Sequence, residues 1–175
     1  EPAPTVAVEG TIQPPFFLSK LLLAVERVQI HECAQDDTGS VLQGMRFLCA
    51  EDNDLNAELL RSILEMYGAS CNIYPDGAAL VQAFDKVQPG EYDAILMDVQ
   101  MPRMNGLEAT RAIRSGGNPL GKRIPIIAMT ANAFSEDVQQ SLAAGMDAHI
   151  SKPIDIELLE CTMKRFVSPP KKAKS

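Results

Sequence analysis

Three carboxylates draw attention because each follows a short apolar run. Glu51 and Asp52 come after Met45–Ala50, and Asp98 comes after Asp93–Met97. Thr130 follows Ile124–Met129, and Lys152-Pro153 follows Ala148–Ser151. Three carboxylates brought together repel one another unless a cation neutralises them. A donor set made only of oxygen, with no His or Cys, suits a hard ion, most simply Mg²⁺ with waters retained. Taken singly, each residue has an ordinary reading. Glu51 or Asp52 could cap a helix, Asp98 could open a turn before Met101-Pro102, Thr130 could be an N-cap and Lys152 a surface lysine. The joint occurrence, each at the end of a strand-like run, argues for a site.

The elements that must position these residues are regular from Met45 onward. Met45–Ala50 reads as a buried strand. Asp54–Tyr67 carries Leu55, Leu59 and Ile63 four apart, backed by Leu60 and Leu64, which predicts a helix capped by Asn53 or Asp54 and stopped at Gly68. Ser70–Tyr74 is a second strand, and Asp76-Gly77 open a helix over Ala78–Lys86. Asp93–Met97 is a third strand, followed by a helix over Gly106–Ser115. Ile124–Met129 is a fourth strand. Ser135–Ala144 is a helix with Ser135 as its cap and Val138 and Leu142 facing inward. Ala148–Ser151 is a fifth strand, and Asp155–Phe166 a last helix with Ile156, Leu159, Met163 and Phe166 on one side. Strand then helix, five times over, means a parallel sheet covered on both faces. In such open sheets ligands bind beyond the carboxyl ends of the strands, where the winding reverses. That is where the five singled-out residues stand.

The 175 residues are 46% apolar and carry a formal net charge of -7. A sizeable core is expected, and global disorder is not. The negative charge argues against sequence-independent nucleic-acid binding, which needs a basic surface. Cys33, Cys49, Cys71 and Cys161 contain no C-x-x-C spacing, so a zinc site is not expected, and scattered cysteines fit a reducing compartment. No signal peptide is evident. The longest apolar stretch, Pro14 to Val25, is broken by Ser19 and Lys20 and is too short to span a bilayer.

Residues 45–167 resemble the receiver domain of response regulators and hybrid histidine kinases. Four blocks carry the likeness. They are Ala50-Glu51-Asp52-Asn53 followed by Asn56; Leu96-Met97-Asp98-Val99-Gln100-Met101-Pro102-Arg103-Met104-Asn105-Gly106; Ala128-Met129-Thr130-Ala131; and Ser151-Lys152-Pro153. Glu51-Asp52-Asn53 with Asn56, and Asp98-Val99-Gln100-Met101-Pro102, are most similar to receivers of hybrid kinases. The resemblance implies a flavodoxin-like (βα)5 doubly wound parallel sheet of strand order 2-1-3-4-5. It implies that Asp98 takes a phosphoryl group from a phosphohistidine. Mg²⁺ would be held by Asp98, by Asp52 directly, by Glu51 through water and by the backbone carbonyl of Gln100. Lys152 would pair with Asp98 and then with the phosphoryl group, across a cis bond to Pro153. Thr130 would move to hydrogen-bond a phosphoryl oxygen. Three residues before the lysine, where the family often has Tyr or Phe, stands His149. It is either a polar, pH-sensitive switch partner of Thr130 or a half-buried strand histidine.

The same resemblance implies a sensor histidine kinase or a histidine phosphotransfer protein as partner, and dimerisation through the last two helices and the fifth strand as an alternative output. It places the chain in the cytoplasm, free-standing or as the cytoplasmic part of a membrane-bound hybrid kinase, with no direct contact to the bilayer. Only nine residues follow Phe166, so no DNA-binding domain is expected there. No Asn- and Gly-rich ATP site is visible, so the chain is not expected to phosphorylate itself from ATP. Residues 1–44 read as linker. Phe17, Leu21 and Val25 recur four apart as a short amphipathic helix, and Thr11–Leu21 is either the end of a degenerate upstream receiver or a plain linker. His31-Glu32 does not continue into a kinase phosphorylation motif. Residues 168–175 read as a disordered tail. Two other functions compete. A phosphatase of the haloacid-dehalogenase type also uses an aspartate after a strand, but it needs a second Asp where Gln100 stands. A flavodoxin-like cofactor binder needs a phosphate loop where Glu51-Asp52 would repel the ligand.

Overall fold

The computed structural model describes residues 39–131 and 135–166. The N-terminal amphipathic helix, the upstream-receiver reading and the 168–175 tail fall outside these residues. Five strands, β1 (Arg46–Ala50), β2 (Ser70–Tyr74), β3 (Ala94–Asp98), β4 (Ile126–Thr130) and β5 (Ala148–Ser151), form one parallel sheet in the order β2-β1-β3-β4-β5. The helices are α1 (Asp54–Met66), α2 (Gly77–Phe84), α3 (Gly106–Ser115), α4 (Ser135–Ala144) and α5 (Ile156–Phe166), with a 3-10 turn at Pro119–Lys122. The winding reverses between β1 and β3.

The period of two in a strand sorts its side chains onto two faces. Leu48, Ile95, Met97 and Ile126 pack with Leu80 and Phe84 of α2 and Ile113 of α3. Phe47, Cys49, Leu96, Ile127 and Ile150 pack with Leu60 and Leu64 of α1 and with Leu159 and Met163 of α5. Every residue of β3 and β4 is buried, as expected for central strands with helices on both sides. The helices start on side-chain caps. Asn53 accepts from the Asn56 N–H, Asp76 from the Ala79 N–H, and Asn105 with Glu108 closes a reciprocal capping box.

Several expectations need correction. Asp98 is the last residue of β3, in register with Met129, and does not lie beyond the strand. Asp93 lies before β3, where its carboxylate accepts the Arg46 N–H at 2.8 Å. The fourth strand starts at Ile126, beyond Pro125, and α2 ends at Phe84. On α1 the stripe that meets the core is Leu60 and Leu64; Leu55 is 79% and Leu59 50% exposed. Leu142, expected to face inward, is 52% exposed, and α4 buries Ser141 and Ala144 instead. The cap expected at Ser135 rests on a side chain outside those the structure describes. Leu42, whose neighbours read as linker, is fully buried, and the Ser40 hydroxyl donates to the Glu160 carboxylate of α5. Among the described cysteines, Cys49 and Cys161 are buried and Cys71 is half-buried, all as free thiols. Burial first, then donation to the Cys71 sulfur, pushes the Cys49 thiol well up; accepting that hydrogen bond pulls Cys71 down. No described helix is long and apolar enough to cross a membrane.

Candidate functional site

The alternation that builds the core also builds the site. Asp98 continues the Ala94, Leu96 face of β3, and Glu51 continues the Phe47, Cys49 face of β1. Lys152 continues from Ile150 beyond β5, so all three side chains leave the sheet on the α1/α5 side. Asp52 lies at the entry to α1, just before its cap Asn53. The Lys152–Pro153 peptide is cis, and the Lys152 N–H donates to the Thr130 carbonyl at 2.8 Å, tying the lysine to the end of β4.

One ammonium stands between two carboxylates. Lys152 Nζ is 2.7 Å from Asp98 Oδ2 and 2.6 Å from Glu51 Oε2. Glu51 and Asp98 are each 4% exposed, and Asp52 is open to solvent. The other oxygens are also engaged. Asp98 Oδ1 accepts the Gln100 N–H at 3.0 Å, and Glu51 Oε1 accepts the Asn56 side-chain N–H at 3.0 Å. Burial pushes the Asp98 carboxyl above its ordinary value, although Lys152 and the Gln100 N–H pull the other way. Burial pulls Lys152 down, but Asp98 and Glu51 more than offset it and its ammonium is held above the usual lysine range.

Glu51, Asp52 and Asp98 each offer a carboxylate oxygen, all within 4.8 Å of one another. Three negative groups against one ammonium leave a local surplus of negative charge. All the donors are hard oxygens and one of them faces solvent. These residues therefore fit a hard divalent cation that keeps part of its water, such as Mg²⁺.

Two further residues were expected at this edge. Thr130 is the buried last residue of β4 and is in register with Ser151. His149 is half-buried and pairs with Ala128, two residues lower. Thr130 and His149 share the face of Ala128, so they lie on the α2–α4 side of the sheet, opposite Asp98.

Two contributors had no assigned role. The Asn56 hydrogen bond to Glu51 was signalled only by its place one turn into α1, within reach of the strand before it. The loop after Asp98 is pinned by Arg103, which has φ +65° and pairs with buried Asp76 at 3.3 Å, and by the Gly77 N–H donating to the Met104 carbonyl. Gly106 closes this loop. A Cβ built there would lie 2.1 Å from the Asp98 carbonyl oxygen, so only glycine allows the approach.

Comparison with known proteins agrees with this geometry. Residues 47–164 match the family model of the response regulator receiver domain. A probable histidine kinase 1 of Oryza sativa subsp. indica is 38% identical over 153 residues, which cover 71% of this chain and 16% of that protein. The chain thus spans about a sixth of that relative's length. The receiver domain of a sensor histidine kinase from Pseudomonas aeruginosa superposes with a TM-score of 0.61 at 35% identity, covering 74% of this chain and 98% of that one. That domain has a magnesium ion coordinated in its active-site cleft. The receiver domain of a Saccharomyces cerevisiae response regulator, co-crystallised with a histidine phosphotransfer protein, superposes with a TM-score of 0.62 at 27% identity, covering 72% and 90%. The haloacid-dehalogenase alternative finds no support in these likenesses, and Gln100 still stands where it needs an acid.

Proposed function

The chain belongs to the response regulator receiver domain family, and from that premise we propose that Asp98 accepts a phosphoryl group from a phosphohistidine, with Mg²⁺ at the Glu51, Asp52 and Asp98 carboxylates. The observation that carries this reading is Lys152, whose single ammonium bridges Asp98 and Glu51. A purely structural ion pair has no use for a second and third carboxylate.

In the transfer, one Asp98 oxygen attacks phosphorus while the bond from phosphorus to the imidazole nitrogen breaks. The bonding pair leaves with the imidazole, and an acyl phosphate forms on Asp98. Lys152 and the Gln100 N–H hold the Asp98 carboxylate ionised and oriented against the effect of its burial. Asp98, Asp52 and the Gln100 carbonyl would hold the cation, with Glu51 reaching it through water, and when bound it would supply charge neutralisation for the transferring oxygens. The new phosphoryl group then draws Lys152 and the Thr130 hydroxyl toward it, and His149, on the same sheet face as Thr130, moves with them.

The donor is a protein. Exposed Leu59 lines a groove of about 380 Å³ that runs from Lys152 and Asn56 along Ile63 and Ile154. Apolar surface beside a polar site suits a macromolecular partner. A histidine phosphotransfer protein or the phosphorylated domain of a histidine kinase meets that description, and we place the chain in the cytoplasm beside it. The ATP-dependent step belongs to the donor.

The test is transfer of labelled phosphate from a phosphohistidine protein. Label is expected on the wild-type chain with Mg²⁺, and neither on Asp98→Ala nor after chelation. Labelled Asp98→Ala would overturn the assignment.

A further inference from the structure

Glu51, like Asp98, is held by two donors. Its Oε2 accepts from Lys152 at 2.6 Å and its Oε1 from Asn56 at 3.0 Å. The two donors differ in kind. Lys152 is a charge on a flexible stem, already shared with Asp98 at 2.7 Å. Asn56 is neutral and sits in the first turn of α1, where its own N–H is fixed by the Asn53 cap at 3.1 Å. A phosphoryl group on Asp98 adds about −1.5 to −2 of charge at neutral pH. The lysine must track that charge, and the amide has no reason to.

We propose that Asn56 is a positioning residue that keeps the Glu51 carboxylate aimed at the cation site when Lys152 leaves Glu51 for the phosphoryl group. Without Asn56, departure of the lysine would leave the buried Glu51 carboxylate without either of its side-chain donors, and such a group turns outward to water. A neutral donor is the right chemistry for this place. An ammonium or guanidinium there would compete with the metal. The proposal rests on the phosphoacceptor reading above, since it concerns how that site keeps its metal through the transfer.

The test is a double-mutant cycle on the whole chain, with Mg²⁺ affinity read by calorimetry and the fold read by urea unfolding without metal. Asn56→Leu removes the donor, keeps the volume and suits a helix better than Asn, so the unfolding midpoint is expected to hold. Asn56→Ala serves as a second variant without added apolar surface. In the wild-type background Lys152 still holds Glu51, and the Mg²⁺ dissociation constant is expected to rise about threefold. In a Lys152→Ala background, which mimics the lysine's departure, it is expected to rise by about tenfold or more, the usual cost of losing a ligand's outer partner. Equal effects in both backgrounds, or none, overturn the role of Asn56, because a residue that does not back up the lysine's hold on Glu51 acts independently of it. A wild-type chain that takes up no Mg²⁺ overturns this inference together with the reading beneath it.

Discussion

Two half-buried cations in this molecule are used in opposite ways. Arg114, near the end of α3, gives its Nε–H to the Gly145 carbonyl at 2.8 Å. It gives Nη1 hydrogens to the Gly121 and Ile124 carbonyls at 2.6 and 2.8 Å, and an Nη2 hydrogen to Asp147 at 2.7 Å. Asp147 in turn accepts the Ile126 N–H at the start of β4. One charge meets one countercharge, and three carbonyls take up three more of its donors. At the carboxyl edge, Lys152 meets two carboxylates while Asp52 lies close by, so the balance stays negative. The difference separates a clamp from a site. A charge-balanced pair fastens α3, the α4–β5 turn and β4 together. An unsaturated cluster is costly in isolation and invites a cation.

The contrast meets its severest challenge when one residue is exchanged on each side. Asp98→Asn is expected to lose all phosphoryl uptake and to unfold at an equal or higher urea concentration, because the fold disfavours the Asp98 charge. Arg114→Ala is expected to cost about 2–4 kcal/mol in urea unfolding, since buried carbonyls and Asp147 lose their donor. It should still take up phosphate below its unfolding transition. If Arg114→Ala lost uptake while folded, the division into clamp and site would fail.

Gly106→Ala acts on both sides at once. Its Cβ would meet the Asp98 carbonyl, so the loop or the strand end must shift. A cost of about 1–3 kcal/mol is expected, together with slower phosphoryl uptake, read in paired unfolding and transfer assays. Unchanged transfer would show that the end of β3 tolerates movement.

The smallest effect is a pH dependence in metal-free protein. The Asp98 carboxyl is raised in the fold, so the unfolded chain ionises first as pH rises. Wild-type stability therefore falls from the ordinary carboxylate value near 3.9 up to the raised folded value, and then levels off. Asp98→Asn lacks this fall, so its advantage in urea midpoint should grow across that window and stay constant above it. A constant advantage from acid to neutral pH would contradict the raised carboxyl. Lys152 has the opposite sense. Its contribution is present below the usual lysine value and is lost as pH rises through the raised folded one.

The site was more legible in the sequence than the packing around it. A parallel strand is a short apolar run, and the residues at its carboxyl end must emerge at one edge, so Glu51, Asp98, Thr130 and Lys152 could be placed without coordinates. Helix faces were ambiguous. On α1 the stripe of Leu55, Leu59 and Ile63 and the stripe of Leu60 and Leu64 are both spaced by four. Only the sheet beneath decides that the second faces inward. Leu142 misled in the same way. The partners of Arg114 come from residues 121, 124, 145 and 147, and nothing local reports that convergence. Asn56 was visible as part of a motif, but its bond to Glu51 depends on the pitch between β1 and α1.

The opposite projection of Asp98 and Thr130 has a consequence for how such a chain can diversify. The layer of α1 and α5 carries the acidic site and the exposed leucines beside it, while Thr130 and His149 lie with the layer of α2, α3 and α4. Substitution of exposed Leu55 or Leu59 can therefore change the surface beside the acidic site without repacking the layer that holds Thr130 and His149. The sheet works as a partition through which only the ends of its strands communicate, and each side is free to acquire new vocabulary while the grammar at the edge stays fixed.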